Sequence, residues 1–250
     1  MTDKVVLVTG GSRGIGAAVA RKAALAGYKV ALNYHSSPAK ADAVAAMIHA
    51  DGGTVETFKA DMGDPQAVPD LFAAVDKTFG RLDALVNNAG IIGAVNRIED
   101  QTPEDLARLW AINLTGYVLA AQQAVKRMST RHGGHGGVIV NISSIASRTG
   151  GMPGMVPYAL TKGGIDAFTI GLAKEVGREG IRVVAVRPGL IDTEIHEIYG
   201  KGDAFQTAAD GVPFAGRAGT AIEVADAVLW LMSDGAGYVS ATTLDISAGR

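Results

Sequence analysis

The chain has 250 residues, 48% of them hydrophobic, which suits one large α/β domain or two small ones with a sizeable core. Its net charge of -2 gives no electrostatic case for nucleic acid or an anionic membrane as partner. With no cysteine, disulfides and thiolate chemistry are excluded; with no signal-peptide core at Met1 and no bilayer-length apolar run, a cytoplasmic location is expected.

In chain order, residues 4–9 read as a Val-rich strand, apolar without alternation, as a strand covered on both faces should be. Thr9-Gly10-Gly11-Ser12-Arg13-Gly14-Ile15-Gly16 follows, then a helix over residues 17–26 closed by Gly27. A strand, a Gly-rich turn and a helix make a phosphate cradle: glycine lets the backbone approach a pyrophosphate, and the first helical amides face it. The spacing of Gly10, Gly14 and Gly16 is not G-x-G-x-x-G, and a plain tight turn needs glycine too. Residues 29–34 form the second strand and complete a β-α-β unit. Where NAD-binding units place an acidic residue for the ribose, this chain has Asn33, Tyr34, His35 and Ser36. No carboxylate is there to repel a 2′-phosphate, and Arg13 can pair with one, which favours NADP over NAD; otherwise Arg13 is a solvated charge.

Helices over residues 38–50 and 65–79 flank a third strand at 54–60. Asp61 and Met62 at its end offer an adenine ring a rest and an acceptor, unless Asp61 caps a turn. A fourth strand at 82–86 runs into Asn87-Asn88-Ala89-Gly90, small polar residues that suit a crevice lining or a turn. Residues 102–128 read as a long helical region interrupted near Asn113, since an Asn in an apolar helix is unfavourable without a partner. The stretch around His132 and His135 reads as a surface loop, not a metal site, for want of a nearby Cys or carboxylate.

A fifth strand at 138–143 ends in Ser144, residues 145–156 read as a loop, and a helix holding Tyr158 runs to about residue 177. A sixth strand at 181–187 leads into Pro188-Gly189-Leu190-Ile191-Asp192-Thr193. Residues 194–219 have the least regular pattern, as in a substrate-covering lid or a variable surface connection. A helix at 221–232 and a short strand at 242–246 finish the chain. The rhythm predicts one α/β domain over residues 1–250: a Rossmann fold with a doubly wound parallel sheet of seven strands between two helical layers, right-handed crossovers, and a lid around 190–215.

Tyr158 and Lys162 are four apart, one above the other on a helix face. A cation and a helix N-terminus both stabilise a phenolate, whose ordinary pKa is about 10, so such a Tyr can exchange a proton with an alcohol or carbonyl. A packed ring beside a solvated charge is the ordinary meaning of the same pair. The setting argues for chemistry, because strands four, five and six all end in polar residues at the crevice where a nicotinamide would lie.

Over essentially its whole length the chain resembles the short-chain dehydrogenase/reductase family. The match is carried by Thr9 to Gly16, Asn87-Asn88-Ala89-Gly90, Asn113, Ser143-Ser144, Tyr158 with Lys162, and Pro188-Gly189 with Thr193. The resemblance implies Tyr158 as acid/base, Lys162 binding the nicotinamide ribose and lowering the Tyr pKa, Ser144 orienting the substrate oxygen, and Asn113 holding a relay water. Ser143 points the other way on the strand. The Ser144 to Tyr158 interval is one residue longer than the commonest family spacing, so a local bulge is expected. NADP(H) is the implied cofactor, held by Gly10, Ser12, Arg13, Gly14, Ile15, Gly16, Asn33, His35, Ser36, Asp61, Met62, Asn88, Ala89, Gly90, Tyr158, Lys162, Pro188, Gly189, Ile191 and Thr193.

The implied substrate is a carbonyl or secondary alcohol, with a 3-oxoacyl-carrier-protein reductase and a sugar or polyol dehydrogenase such as glucose dehydrogenase both open. A homotetramer is implied as well, with Val224, Val228, Leu229 and Trp230 giving the last helix an apolar face that core packing equally explains. A catalytically silent NADP-sensing protein and a structural subunit are the alternatives from other classes.

Overall fold

The computed structural model describes residues 3–194 and 203–250. Its elements are β1 (Val5–Val8), α1 (Gly14–Leu25), β2 (Lys29–Tyr34), α2 (Pro38–Ala50), β3 (Thr54–Lys59), α3 (Ala67–Phe79), β4 (Ala84–Asn87), α4 (Pro103–Trp110), a π-helical turn (Ala111–Thr115), α5 (Gly116–Met128), β5 (Gly137–Ile142), α6 (Ala146–Thr149), α7 (Val156–Val176), β6 (Ile181–Pro188), β7 (Ile191–Asp192), α8 (Asp203–Asp210), β8 (Gly219–Thr220), α9 (Ala221–Met232) and β9 (Thr242–Ile246). Seven strands pair in the order β3-β2-β1-β4-β5-β6-β9, every pair parallel. The strand order reverses between β1 and β4, which places the ligand crevice at the C-terminal ends of those strands.

The apolar β1 stretch shows why both faces are covered. Val6 and Val8 pack into a core shared with α1, α2 and α9, while Val5 and Leu7 point to the opposite core under α3, α5 and α7. Helix ends follow local chemistry. Thr102 accepts the Asp105 N–H ahead of Pro103 to start α4, and Gly80, with φ of 75°, stops α3. Thr220 and Glu223 form a reciprocal capping box at α9.

Several boundaries depart from the sequence expectation. The first helix begins at Gly14 rather than Ala17: the Ala17 N–H already bonds Arg13 O, and Gly16 packs against Gly10 and Asn88. The helix expected from Pro65 begins at Ala67, since Asp64 uses its carboxylate and carbonyl to build a turn with Gln66 and Ala67. The stretch read as a loop after Ser144 contains the short helix α6, and Val156 already belongs to α7. The segment read as irregular carries α8 and ends at β8, which pairs with β7 just before it, while residues 195–202 lie outside the described residues. On α9, Val224 and Val228 are buried in the core and only Trp230 of the expected apolar face is exposed, joined by Ile222.

Candidate active site

The Gly-rich turn is knitted to three strands before any ligand is considered. The Thr9 hydroxyl accepts the main-chain N–H of Asn88 at 2.9 Å and of Ala89 at 3.0 Å. The Asn88 amide nitrogen donates to the carbonyls of Thr9 at 2.8 Å and Gly10 at 3.1 Å. The Asn33 side-chain oxygen takes the Gly10 N–H at 3.1 Å, and its nitrogen donates to Ala60 O at 3.1 Å. Asn33 and Asn88 therefore hold the cradle with their side chains turned inward. Gly16 is pressed so close that a Cβ would stand 2.4 Å from Gly10 O. Gly10 and Gly14 sit at φ of 64° and 54°, which glycine adopts without strain.

What remains on the open side fits a dinucleotide. The N-terminus of α1 has no side-chain cap and no acidic residue in its first turn, so its amides remain available to an anion. Ser12 is half-buried, and Arg13 is exposed with no ion pair among the described residues. Thr193 reaches over the turn, its methyl 3.5 Å from where a Gly14 Cβ would lie. Lys40 of α2 pairs with Glu194 at 3.3 Å and fastens that segment beside the cradle.

His35 and Ser36 are exposed at the end of β2, with His35 3.7 Å from the Asp61 carboxylate. Asp61 accepts the Gly63 N–H at 2.9 Å and pairs with Arg108 at 2.9 Å, so the turn-capping role is present. Burial pushes its carboxyl up, but those donors outweigh it and hold the group below the ordinary value. Arg108 carried no sequence signal. Met62 is buried beneath this corner.

The proton-handling residues converge on the ends of β4, β5 and α7. Tyr158 is the third residue of α7 and half-buried. Burial pushes its phenol up, and the neighbouring Ser144 hydroxyl pulls it partly back. Desolvation is the larger effect, so the phenol stands above its ordinary value, against the lowering expected from the Lys162 charge. Ser144 is half-buried beside it, whereas Ser143 is buried with its hydroxyl bonded to Lys162 O at 3.1 Å. Lys162 is buried, its Nζ donating to Ile142 O at 2.7 Å and lying 5.7 Å from the Tyr158 ring. Desolvation lowers its pKa to about 8, and the Asp166 carboxylate on the next turn pushes back.

Asn113 lies in the π-helical turn and is fully buried. Its side-chain oxygen takes the Ile91 N–H at 3.0 Å, and its nitrogen donates to Ile91 O at 2.8 Å and to Thr161 Oγ1 at 3.2 Å. Both amide hydrogens are engaged, so a relay water here would have to meet the remaining lone pair of Oδ1 or the main chain. Gly90 is exposed, and a Cβ added to it would stand 3.4 Å from Asn113 Oδ1 and 3.8 Å from Lys162 Nζ. Pro188 O takes the Ile145 N–H, Gly189 N–H bonds Ile246 O at 2.9 Å, and Ile191 is buried in β7. Between Ser144 and Tyr158, α6 is followed by Gly150, Gly151 and Gly154, all at positive φ. Gly154 packs directly against Val95, so two walls of the mouth touch. Among the described residues no His, Cys, Asp and Glu group is placed to hold a metal ion, and no helix is long and apolar enough to cross a membrane.

A family model described as enoyl-(acyl carrier protein) reductase matches residues 10–250. The chain is 44% identical over 246 residues to the oxidoreductase YgfF of Escherichia coli, covering 98% of this chain and 99% of that one. It is 34% identical over 249 residues to glucose 1-dehydrogenase 2 of Bacillus subtilis, covering 100% and 95%. A short chain dehydrogenase of Burkholderia cenocepacia, solved in complex with NADP, superposes with a TM-score of 0.91 at 35% identity, covering 99% of this chain and 98% of that one.

Proposed function

The chain belongs to the short-chain dehydrogenase/reductase family and is an oxidoreductase by that kinship; from this premise we propose that it uses NADP(H) to interconvert a carbonyl and a secondary alcohol, with Tyr158 as acid/base. One observation carries the reading: a half-buried Tyr158 near a half-buried Ser144 sits one helical turn from the buried Lys162 at the crevice of the sheet.

When bound, the nicotinamide supplies the hydride that goes to the carbonyl carbon. Ser144 Oγ donates a hydrogen bond to the carbonyl oxygen as charge grows on it, a contribution of about 3 kcal/mol by comparison with other oxyanion donors. Tyr158 Oη gives its proton to that oxygen, which leaves the alcohol, and oxidation runs the same transfer backwards. Lys162 holds the ribose hydroxyls and its charge steadies the phenolate that remains. The α1 amides and Arg13 hold the phosphates, Arg13 the one on the 2′-oxygen. The lid reading of 190–215 falls partly on residues 195–202, outside the described residues; of the rest, β7 and α8 are described. No observation favours the silent, NADP-sensing alternative, since Asn113, Ser144, Tyr158 and Lys162 are all in place.

The exposed apolar residues Ile222 and Trp230 on α9 and Leu244 on β9 support a homotetramer, to be checked by sedimentation. A cysteine-free chain is compatible with a cytoplasmic location. The test of the activity is Tyr158→Phe, assayed at the nicotinamide absorbance over a panel of carbonyls. Turnover should vanish while NADPH binding stays within about twofold of wild type. A variant that keeps near-normal rates refutes the assignment.

A further inference from the structure

Tyr117 is a fully buried aromatic to which the mechanism above gives no part. It lies on α5, one turn beyond Asn113, and its ring centre is 5.4 Å from Lys162 Nζ, with the Tyr158 ring 5.7 Å from the same nitrogen. Its hydroxyl donates to Ile142 O at 3.1 Å, the same oxygen that accepts from Lys162 Nζ at 2.7 Å. Its own carbonyl takes a hydrogen bond from Asn87 Nδ2 at 3.3 Å, so the backbone of the residue is anchored to β4.

We propose that Tyr117 is a positioning residue for Lys162, its ring face keeping the buried ammonium charged. The proposal rests on the reading of Lys162 as the cation beside Tyr158. The physical need is plain. An ammonium taken out of water loses its hydration and tends to shed its proton. The groups that face Lys162 are Tyr158 and Asp166 from its own helix, Tyr117 from α5 and the Ile142 carbonyl from β5. Only Asp166 carries a charge. The quadrupole of an aromatic face attracts a cation most strongly where water is excluded, and two faces flank this one. Tyr117 itself stays neutral, because burial and the nearby Tyr158 push its phenol far up. It therefore acts as a ring and a hydrogen-bond donor, not as a second acid.

The ordinary role of a buried Tyr with a satisfied hydroxyl is packing, so the test reads the lysine and not the fold. The full chain, free of cofactor, is labelled with carbon-13 at the lysine Cε, and the Lys162 resonance is identified by its loss in Lys162→Arg. In wild type it should titrate near 8. Tyr117→Phe, which keeps the ring, should titrate close to wild type. Tyr117→Leu, and Tyr117→Met of similar bulk, should move the midpoint down by about one pH unit. An unmoved midpoint in folded Leu or Met variants overturns the proposal, as does a Phe variant that shifts as far as they do. Failure of both Leu and Met variants to fold, with Phe unaffected, assigns the residue to packing and also overturns it. Because no turnover is needed, a shifted titration in a protein without activity would count against the oxidoreductase reading alone.

Discussion

Arg187 of β6 donates to the Asp166 carboxylate at 2.9 Å, and this ion pair lies one helical turn beyond Lys162. The other carboxylate oxygen, Asp166 Oδ1, is buried with no hydrogen-bond partner. A buried carboxylate with a spare oxygen favours charge on the nearest cation, which here is Lys162. In the proposed mechanism, reduction needs a protonated Tyr158 and a charged Lys162. Burial holds Tyr158 above its ordinary value, so Lys162, at about 8, is the first of the two to lose its proton as pH rises. The prediction is that kcat/KM for reduction falls above about pH 8 and that Asp166→Asn moves this fall to lower pH. A pH–rate profile with an unmoved alkaline limb would contradict it.

Arg13 stands exposed in the turn beside the uncapped start of α1. Its loss should weaken NADPH at least about tenfold more than NADH, the size of one charge-assisted hydrogen bond to a phosphate. Fluorescence titration of Arg13→Ala with both cofactors measures this. Equal losses would remove the 2′-phosphate role.

Gly16 lies against Gly10 O and Asn88, with no room for a methyl group. Gly16→Ala should push the turn off α1, costing roughly 1–3 kcal/mol of stability and most of the NADPH affinity. Urea unfolding and cofactor titration check both effects. A variant of wild-type stability would mean that the turn yields more freely than its packing implies.

Glu223 accepts from Thr220 N and from Arg217, which lower its pKa from 4.5 to about 2. Its folded value lies below the unfolded one, so the stability it contributes is present above about 4.5 and is lost as pH falls towards 2. The carboxylate is half exposed, so screening keeps the effect near 1 kcal/mol at neutral pH. Glu223→Gln should lower Tm at pH 7, and the gap from wild type should close on acidification below 4.5. A gap constant with pH would assign the loss to something other than the charge.

The central strands were legible because β1, β4, β5 and β6 are short apolar runs between glycine or polar punctuation, as a sheet covered on both faces demands, whereas the edge strands β3 and β9 are more polar and were placed by the β-α rhythm. Tyr158 and Lys162 were legible through helical spacing. Asn33 was legible only as a missing carboxylate; that its side chain bends back to hold Gly10 depends on a turn formed by residues 23 positions away. The short helix α8 was hidden because an eight-residue polar segment leaves no periodic stripe longer than two turns. The Tyr158 phenol was expected low and stands high, because a sequence shows which charges are near but not how much water a fold removes. Tyr117 looked like any core aromatic, and only the packing of α5 against α7 reveals the ammonium over its ring.

The edge strand β9 carries more than its own ladder. Asp245 of β9 balances both Arg187 and Arg148. Without β9 beside β6, Arg187 would keep Asp166 as its acid partner, while Arg148 would have none among the described residues. Loosening that edge would therefore cost the sheet a carboxylate shared by two arginines as well as its strand hydrogen bonds.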